Sequence, residues 1–440
     1  MQIDTLITRL ALISAVLLVA SAAATSCNNP NGRNGAVPYY KTVKLQPRVA
    51  QVIWNPDEFD FEKANKAVTE RYVNLYNVSA GGCTSWRNGR FHGRNFDWMQ
   101  SDFGCIVLQM PAGKGARHAS VSIINGNPAV DGALLDNDSI DGDYRNFLPC
   151  MAMDGINDAG VAANINIIHH TPGDAYIRSE EGDLSCMSVV RYVLDNAGSV
   201  DEAIGLLSRR KVSQDLVAKA GDDTHFMISD AEKTAVVEYD NGEMVILYYH
   251  ENGNGCRSGK GNPAIMSNLF NIAVEKWGLG TDEFYENRPF SLGVERWATV
   301  LSRYDDASRS VEANLDIAQS VWYFKNFMSR DNLWYSECAD HDYGKDGQGW
   351  YCMLDGKRVP CSSWKEAQLK AWETMPEFRD GYDERFGKLA DPHVKENGCW
   401  ETSHSVIYDL SEKKGFLCAF EGFYSKDDSP IEITLPGQDR

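Results

Sequence analysis

Residues 81–98 read GGCTSWRNGRFHGRNFDW, a stretch in which two short strand-like runs stand on either side of a turn. Cys83 to Trp86 and Phe91 to Trp98 form the two runs. Asn88-Gly89 between them is a strong signal for a tight β-hairpin. Two glycines come directly before Cys83. The stretch therefore predicts a hairpin whose first strand begins at a cysteine.

A cysteine in this position gains a base of its own if the chain is cut between Gly82 and Cys83. The new α-amino group, whose reference pKa is about 8, can take the thiol proton. The hairpin would return Arg94 and Asp97 to the start of the first strand. An arginine there favours the thiolate, and a carboxylate can orient the amino group. The pattern is compatible with a cysteine nucleophile created by cleavage, although a cysteine before a strand is usually structural.

Beyond the hairpin, strands come in runs and helices come in pairs. This grouping favours a layered α+β fold over an alternating parallel βαβ fold. A meander is predicted at His225 to Ser229, Thr234 to Tyr239 and Glu243 to Tyr249. Other strands are predicted at 105–110, 118–124, 161–168, 403–410 and 414–420, and helices at 186–196, from 199 onward, 293–304 and 311–326.

The first 25 residues have the polarity of a secretory signal. Arg9 precedes an apolar run, Leu10 to Ala24, which is short for a membrane span and ends in small residues. We therefore expect residues 1–26 to be a signal peptide and the protein to be exported, as a secreted, periplasmic or surface protein. Cys27 follows at once, so membrane contact is expected only if this cysteine carries a lipid.

The segment before the hairpin is predicted to be removable. Residues 28 to about 50 are rich in Asn, Gly and Pro and are interpreted as a linker, and 58–76 have helical apolar spacing. With Cys83 as the mature terminus, residues 27–82 are predicted to be a propeptide removed on maturation. Residues 83–440 then form the folded domain, with a cysteine-containing insertion at about 329–400.

The net charge limits the classes of molecule that the protein can bind, and the cysteine content bears on disulfides and metal sites. The formal net charge of -19 repels polyanions, which excludes nucleic acid as an expected partner. In an exported protein some of the eleven cysteines should pair, and Cys352 with Cys361 is the local pair that the spacing favours. No Cys/His spacing is typical of zinc, and His169 and His170 would point apart on a strand. Neither a metal nor an organic cofactor is predicted.

The hairpin residues resemble the choloylglycine hydrolase family, which includes bile salt hydrolases and penicillin V acylases, and the related acid ceramidase-type enzymes. Members begin their mature chain with Cys-Thr, as at Cys83-Thr84. They carry a Gly-Arg-Asn-hydrophobic-Asp motif, as at residues 93–97. Four further segments match in the expected order, at 154–162, 226–242, 266–268 and 291–297. The resemblance covers about residues 83–420.

This resemblance implies the four-layer αββα sandwich of N-terminal-nucleophile hydrolases and the hydrolysis of a linear amide without a cofactor. The oxyanion would be held by Asn166, with Asn164 as the alternative if the alignment slips. The catalytic residues that it implies are Cys83, Arg94, Asp97, Asn166, Asn268 and Arg296. The implied substrate is a small acyl amide, namely a conjugated bile acid, an N-acyl amino acid, an acyl lactone or a penicillin-type side chain.

Two other interpretations stay open. The same nucleophile would serve a cysteine dipeptidase, which needs a polar group for a substrate ammonium. A disulfide-braced, exported binding lipoprotein without catalysis would instead keep the Gly82–Cys83 bond intact. Self-cleavage against cleavage by another protease, and assembly into a homo-oligomer, are also left open by the sequence.

Overall fold

The described part of the chain forms one compact unit within residues 38–440. The computed structural model describes residues 39–46, 49–71, 83–99, 105–125, 147–169, 182–214, 222–240, 242–253, 255–277, 292–305, 309–330, 343–354, 356–362, 366–367, 370, 400–419 and 430–438. The predicted signal peptide 1–26, Cys27 and Gly82 lie outside these residues.

Strands outnumber helices in the described residues. The strands are β1 Tyr39–Gln46, β2 Val49–Trp54, β3 Cys83–Asn88, β4 Phe91–Met99, β5 Cys105–Met110, β6 Ser120–Asn125, β7 Asp154–Asn157, β8 Ala162–His169, β9 Leu184–Ser185, β10 Val212–Ser213, β11 Asp222–Ser229, β12 Lys233–Asp240, β13 Glu243–Glu251, β14 Cys256–Ser258, β15 Ile265–Met266, β16 Tyr343–Asp346, β17 Gly349–Leu354, β18 Lys357–Pro360, β19 Trp400–Asp409, β20 Lys414–Ala419 and β21 Ile431–Ile433.

The α-helices are α1 Phe61–Arg71, α2 Val189–Asn196, α3 Val200–Leu207, α4 Asn271–Trp277, α5 Leu292–Tyr304 and α6 Val311–Arg330. None of these helices has the combination of length and apolarity needed to cross a bilayer.

Two large sheets dominate the fold. The first has ten strands in the order β1-β2-β5-β6-β7-β8-β11-β12-β13-β14, and all neighbours are antiparallel except β2 and β5. The second has six antiparallel strands in the order β15-β3-β4-β19-β20-β21. The predicted hairpin is therefore an inner pair of the smaller sheet.

Three apolar cores separate four layers. One core packs the ten-stranded sheet against α1, α2 and α3. A second core lies between the two sheets, where Val107 and Ile156 meet Val406 and Leu417. A third packs the six-stranded sheet against α5 and α6, around Trp86 and Trp297. The chain thus forms the α+β sandwich that was predicted, with the layers ordered helix, sheet, sheet, helix.

Strand β5 shows how the sequence fits two covered faces. All six of its residues are buried. Side chains alternate along a strand. Ile106 and Leu108 accordingly enter the core under the helices, and Cys105 and Val107 enter the core between the sheets. The apolar run from Cys105 to Leu108 fits this burial, as expected of a strand covered on both sides.

The linker interpretation of residues 28–50 is wrong where the structure describes them. Residues 39–46 and 49–54 are strands, and β2 pairs with β5 inside the ten-stranded sheet. Val52 and Trp54 are buried in the main core. The Asn, Gly and Pro content of the segment hid a short alternating strand. Removal of residues 27–82 on maturation stays a prediction.

The helices that the sequence predicted are confirmed, with small shifts of their ends. The helix predicted from 199 onward begins with a modified capping box at α3. The Ser199 hydroxyl accepts from the Glu202 amide at 3.1 Å, whereas the Glu202 carboxylate accepts from the Gly198 amide at 2.8 Å. This places the reciprocal contact one residue before the N-cap.

Part of the predicted insertion at 329–400 has regular structure. Strands β16, β17 and β18 form a separate antiparallel sheet. Cys352 lies on β17 and Cys361 follows β18, and their sulfur atoms are 3.8 Å apart as thiols. The predicted disulfide therefore stays a prediction, with the two thiols already in contact.

The close packing of the hairpin can be tested at Gly93. A Cβ atom there would overlap the indole ring of Trp86, which is itself fixed by a 2.8 Å bond to Asn314. We expect Gly93→Ala to cost about 1–3 kcal/mol and to lower the thermal midpoint. Gly205→Ala, which meets nothing within 4 Å on α3, is the matched control. Equal midpoints for the two variants would contradict this packing.

Candidate active site

The register of the hairpin decides what surrounds Cys83. Cys83 pairs with Phe96, and Ser85 pairs with Arg94. Paired residues share a face of the sheet, so Cys83 and Arg94 both face the ten-stranded sheet, while Asp97 faces the helix layer. The sequence predicted that Arg94 and Asp97 lie beside Cys83, and the structure places them on opposite faces of the same strand.

Among the described residues, Arg94 is the charged side chain that contacts the Cys83 thiol. Its Nη2 lies 3.6 Å from Cys83 Sγ, and its Nη1 donates to Asp154 Oδ2 at 2.9 Å and to the Met153 carbonyl. Arg94 and Asp154 are both fully buried. The guanidinium is thereby held in contact with the sulfur.

Asn268 holds the main-chain nitrogen of Cys83. Strand β15 pairs with β3 through Met266 and Ser85, and two more residues in that register bring Asn268 level with Cys83. The Cys83 amide donates to Asn268 Oδ1 at 3.0 Å. Asn268 Nδ2 in turn donates to the Ile167 carbonyl at 2.6 Å, which fixes the plane of the amide.

Arg296 and Asp97 form a buried ion pair on the helix side. Arg296 Nη2 lies 2.7 Å from Asp97 Oδ2, and neither side chain is exposed. Arg296 also donates to Asn268 Oδ1, and Thr402 donates to Asp97 at 2.5 Å. The described contacts thus link Asp97 to the Cys83 nitrogen through Arg296 and Asn268. The sequence had predicted a direct role for Asp97 in orienting the amino group.

Asn166 and Asn164 lie on one face of β8, toward Ser85. Both amide hydrogens of Asn164 are used, on Ser85 Oγ at 2.8 Å and on Asn166 Oδ1 at 2.9 Å. Asn166 donates once among the described residues, to the Met266 carbonyl at 3.3 Å. An amide nitrogen has two hydrogens. Among the described contacts, one amide hydrogen of Asn166 therefore has no acceptor, whereas both hydrogens of Asn164 have one. No described contact joins Asn166 to Cys83.

A neutral histidine closes this polar group between the sheets. His92 contacts Asn164 Oδ1 and Ser229 Oγ, each at 2.9 Å. Burial lowers the pKa of His92 to about 4. The ring therefore stays uncharged near neutral pH and adds no second cation beside Arg94.

Sequence reasoning missed Asp154, Thr402 and His404. Asp154 was quoted as the start of a family-like segment, but only as a lead to the asparagines. Thr402 and His404 belong to a strand more than 300 residues after the hairpin. No local motif marks them, and only the pairing of β19 with β4 could have done so.

The arrangement has the parts needed for acyl transfer by a thiol. It places a sulfur beside a cation and a main-chain nitrogen in a fixed orientation, within a buried setting. In the described part of the chain, no three His, Cys, Asp or Glu side chains converge as a metal site requires.

Residues 144–260 match the family described as acyl-coenzyme A:6-aminopenicillanic acid acyl-transferase. The match includes β7, the asparagine-bearing strand β8 and the meander β11 to β13, whereas Cys83 lies outside it. No curated protein matches the chain significantly.

Solved structures resemble the chain at low identity. Penicillin V acylase from Agrobacterium tumefaciens is 14% identical with a TM-score of 0.38, over 77% of this chain and 82% of that one. A mutant conjugated bile acid hydrolase from Clostridium perfringens is 13% identical with a TM-score of 0.36, over 80% of this chain and 92% of that one. TM-scores this low establish neither a common site nor a common substrate.

The ion pair on the helix side has a testable energetic role. Asp97→Asn would leave the Arg296 charge buried without a counter-charge, and we expect a loss of about 3 kcal/mol in unfolding free energy. Glu432→Gln is the control, since its pair with Lys414 is half exposed and contributes about 0–1 kcal/mol. Denaturant unfolding of both variants measures the difference. Similar losses of unfolding free energy in the two variants would show that the buried Arg296–Asp97 pair contributes no more to stability than the exposed pair.

Proposed function

We propose that the chain is an N-terminal-nucleophile enzyme of choloylglycine hydrolase type and that it hydrolyses a linear amide with Cys83 as the nucleophile, in line with the family match over residues 144–260. One observation supports this most strongly. A single residue, Cys83, has its sulfur in contact with Arg94 and its main-chain nitrogen on Asn268. Both atoms of an N-terminal cysteine that take part in acyl transfer are thereby held.

Before any turnover, the Gly82–Cys83 bond is hydrolysed once, which turns the Cys83 amide into a free amine. Asn268 Oδ1 accepts one amine hydrogen, so the nitrogen lone pair can turn toward the thiol and take its proton. The sulfur then attacks the substrate carbonyl carbon. The protonated amine gives its proton to the departing substrate nitrogen, and a thioester to Cys83 remains.

Water completes the cycle. The Cys83 amine takes a proton from water as the oxygen attacks the thioester carbonyl. The carbon–sulfur bond then breaks, the protonated amine returns its proton to the departing sulfur, and the acid product is released. In both steps the carbonyl oxygen becomes an oxyanion, for which Asn166 and a main-chain N–H are the proposed donors. One such donor typically contributes about 3 kcal/mol. Within the described residues Asn166 donates only one of its two amide hydrogens, which supports this choice over Asn164.

We infer that the segment before Cys83 stays bound after cleavage, in contrast to the predicted removal of residues 27–82. Strand β2 pairs with β5 along five residues, and Val52 and Trp54 lie in the main core. On α1, Asn65 donates to the Asp183 carbonyl and accepts from the Ser185 amide, both at 2.9 Å. Loss of this segment would expose the core and the edge of β5. We therefore infer a two-fragment mature protein in place of a discarded propeptide.

The substrate belongs to the small acyl amides. Conjugated bile acids, N-acyl amino acids, acyl lactones and penicillin-type side chains all carry a linear amide that this reaction can cleave. Export, as a secreted, periplasmic or surface protein, follows from the signal-like residues 1–26 and remains part of the proposal.

A panel of these four amide classes tests the activity. We expect the wild type to release the amine from at least one class, with a transient acyl adduct on Cys83 detected by mass spectrometry. Cys83→Ala should lose both signals, because no other side chain replaces the sulfur. Cys418→Ser, on the partly exposed face of β20, is the control and should keep both. Amine release by Cys83→Ala at the wild-type rate would refute the proposal.

Retention of the first segment is checked separately. After cleavage, both fragments should elute together in native size exclusion and separate only in denaturant. Asn65→Ala removes two hydrogen bonds and should lower the denaturant concentration at which they separate, whereas the exposed Lys63→Ala should not. Elution of the large fragment alone, folded and active, would show that the segment is dispensable.

A further inference from the structure

Asp154 is a buried carboxylate for which the proposed reaction has no use. It begins β7 and is fully buried between the two sheets. Its Oδ2 accepts from Arg94 Nη1 at 2.9 Å and from His404 Nε2 at 2.8 Å, and its Oδ1 accepts from Tyr408 Oη at 2.6 Å. Three donors from two other strands thus converge on one carboxylate.

The charges of this group are set by its partners. Burial alone would raise the pKa of Asp154, but His404, Arg94 and Tyr408 together hold it below its ordinary value. Burial and the neighbouring carboxylate raise the pKa of Tyr408, so the phenol keeps its proton and donates. Asp154 is therefore an anion with fixed donors.

A β-bulge aims His404 at this carboxylate. Thr402 pairs with Asp97 and His404 pairs with Phe96, which leaves Ser403 as an extra residue. Without that extra residue His404 would turn to the helix side. Its ring stacks on Phe96 with centroids 5.4 Å apart, and Asn125 donates to its Nδ1 at 3.1 Å.

The bulge thereby directs neighbouring side chains of β19 to the required faces of the sheet. On the helix side Thr402 reaches Asp97, and on the inner side His404 reaches Asp154. Phe96, on which His404 stacks, is the strand partner of Cys83. Strand β19 therefore contributes to both ion pairs. It contacts Asp154, the partner of Arg94, and also Asp97, the partner of Arg296.

We propose that Asp154, fixed by His404 and Tyr408, is a positioning residue that holds Arg94 against the Cys83 sulfur, and this rests on the proposed function of Cys83. Asp154 anchors Nη1, and Nη2 of the same guanidinium then points at sulfur 3.6 Å away. Because the guanidinium is planar and rigid, fixing one nitrogen fixes the direction of the other.

Charge and position predict opposite effects when Asp154 becomes neutral. If Arg94 stays in place, Asp154→Asn removes a negative charge and leaves the thiolate more favoured. If Arg94 loses its anchor and turns away, the thiolate becomes less favoured. The sign of the change therefore separates a positioning residue from a bystander charge.

The experiment is a pH titration of the ultraviolet absorbance of the Cys83 thiolate, taken as the difference between each protein and the same protein with Cys83→Ala. We expect the midpoint to move upward by about one pH unit in both Asp154→Asn and Arg94→Gln, which is roughly tenfold less thiolate below the midpoint. Tyr408→Phe should move it in the same direction by a smaller amount.

Asp195→Asn is the matched control, because Asp195 is also buried and paired with a buried arginine, Arg191, but lies on α2. It should lower stability without moving the midpoint. An unchanged or lowered midpoint in Asp154→Asn would overturn the proposal. If that variant does not fold, Tyr408→Phe decides, with an unchanged or lowered midpoint again counting against it.

This titration does not use a substrate. A wild type that cleaves no amide would refute the proposed function while leaving the order of the midpoints intact. The reverse result, an active enzyme whose midpoint ignores Asp154, would refute only the role of Asp154.

Discussion

The pairing of β3 with β4 is the constraint on which the site depends. This hairpin lies inside a sheet that is covered on both faces, so its register cannot slip without moving every buried side chain to the opposite layer. That register places Cys83 opposite Phe96 and Ser85 opposite Arg94. It also sends Asp97 to the helix side, where Arg296 meets it. The cysteine therefore receives its partners from two layers at once.

Buried charge explains why the surroundings of Cys83 are so extensively bonded. Two arginines lie within the site without exposure to solvent, and an unpaired charge there would be strongly destabilising. Each has a carboxylate, Asp154 for Arg94 and Asp97 for Arg296. Each carboxylate receives further donors from β19. The pairing of β4 with β19 is therefore needed to stabilise the two buried ion pairs, just as the pairing of β3 with β4 is needed to place the Cys83 thiol.

The sequence predicted the layered α+β class, the hairpin and most long helices, because their signals are local. The hairpin pattern placed Arg94 near Cys83, and the family resemblance named Asn268. The structure shows both in contact with Cys83, and their catalytic roles stay predictions. The sequence could not predict that Asp97 pairs with Arg296, since that requires knowing which face of β4 meets α5. Thr402 and His404 depend on a bulge and a pairing across 300 residues of chain. Strands β1 and β2 were missed because the Asn, Gly and Pro content of residues 28–50 indicated a linker, and the alternation of apolar residues that signals a strand is only six residues long.

Intact mass under denaturing conditions, with N-terminal sequencing of the larger species, tests the central claim most directly. The account predicts two polypeptides from purified wild-type protein, the larger one beginning at Cys83. A folded protein in which the Gly82–Cys83 bond is intact would contradict it, because an acylated nitrogen cannot accept the thiol proton.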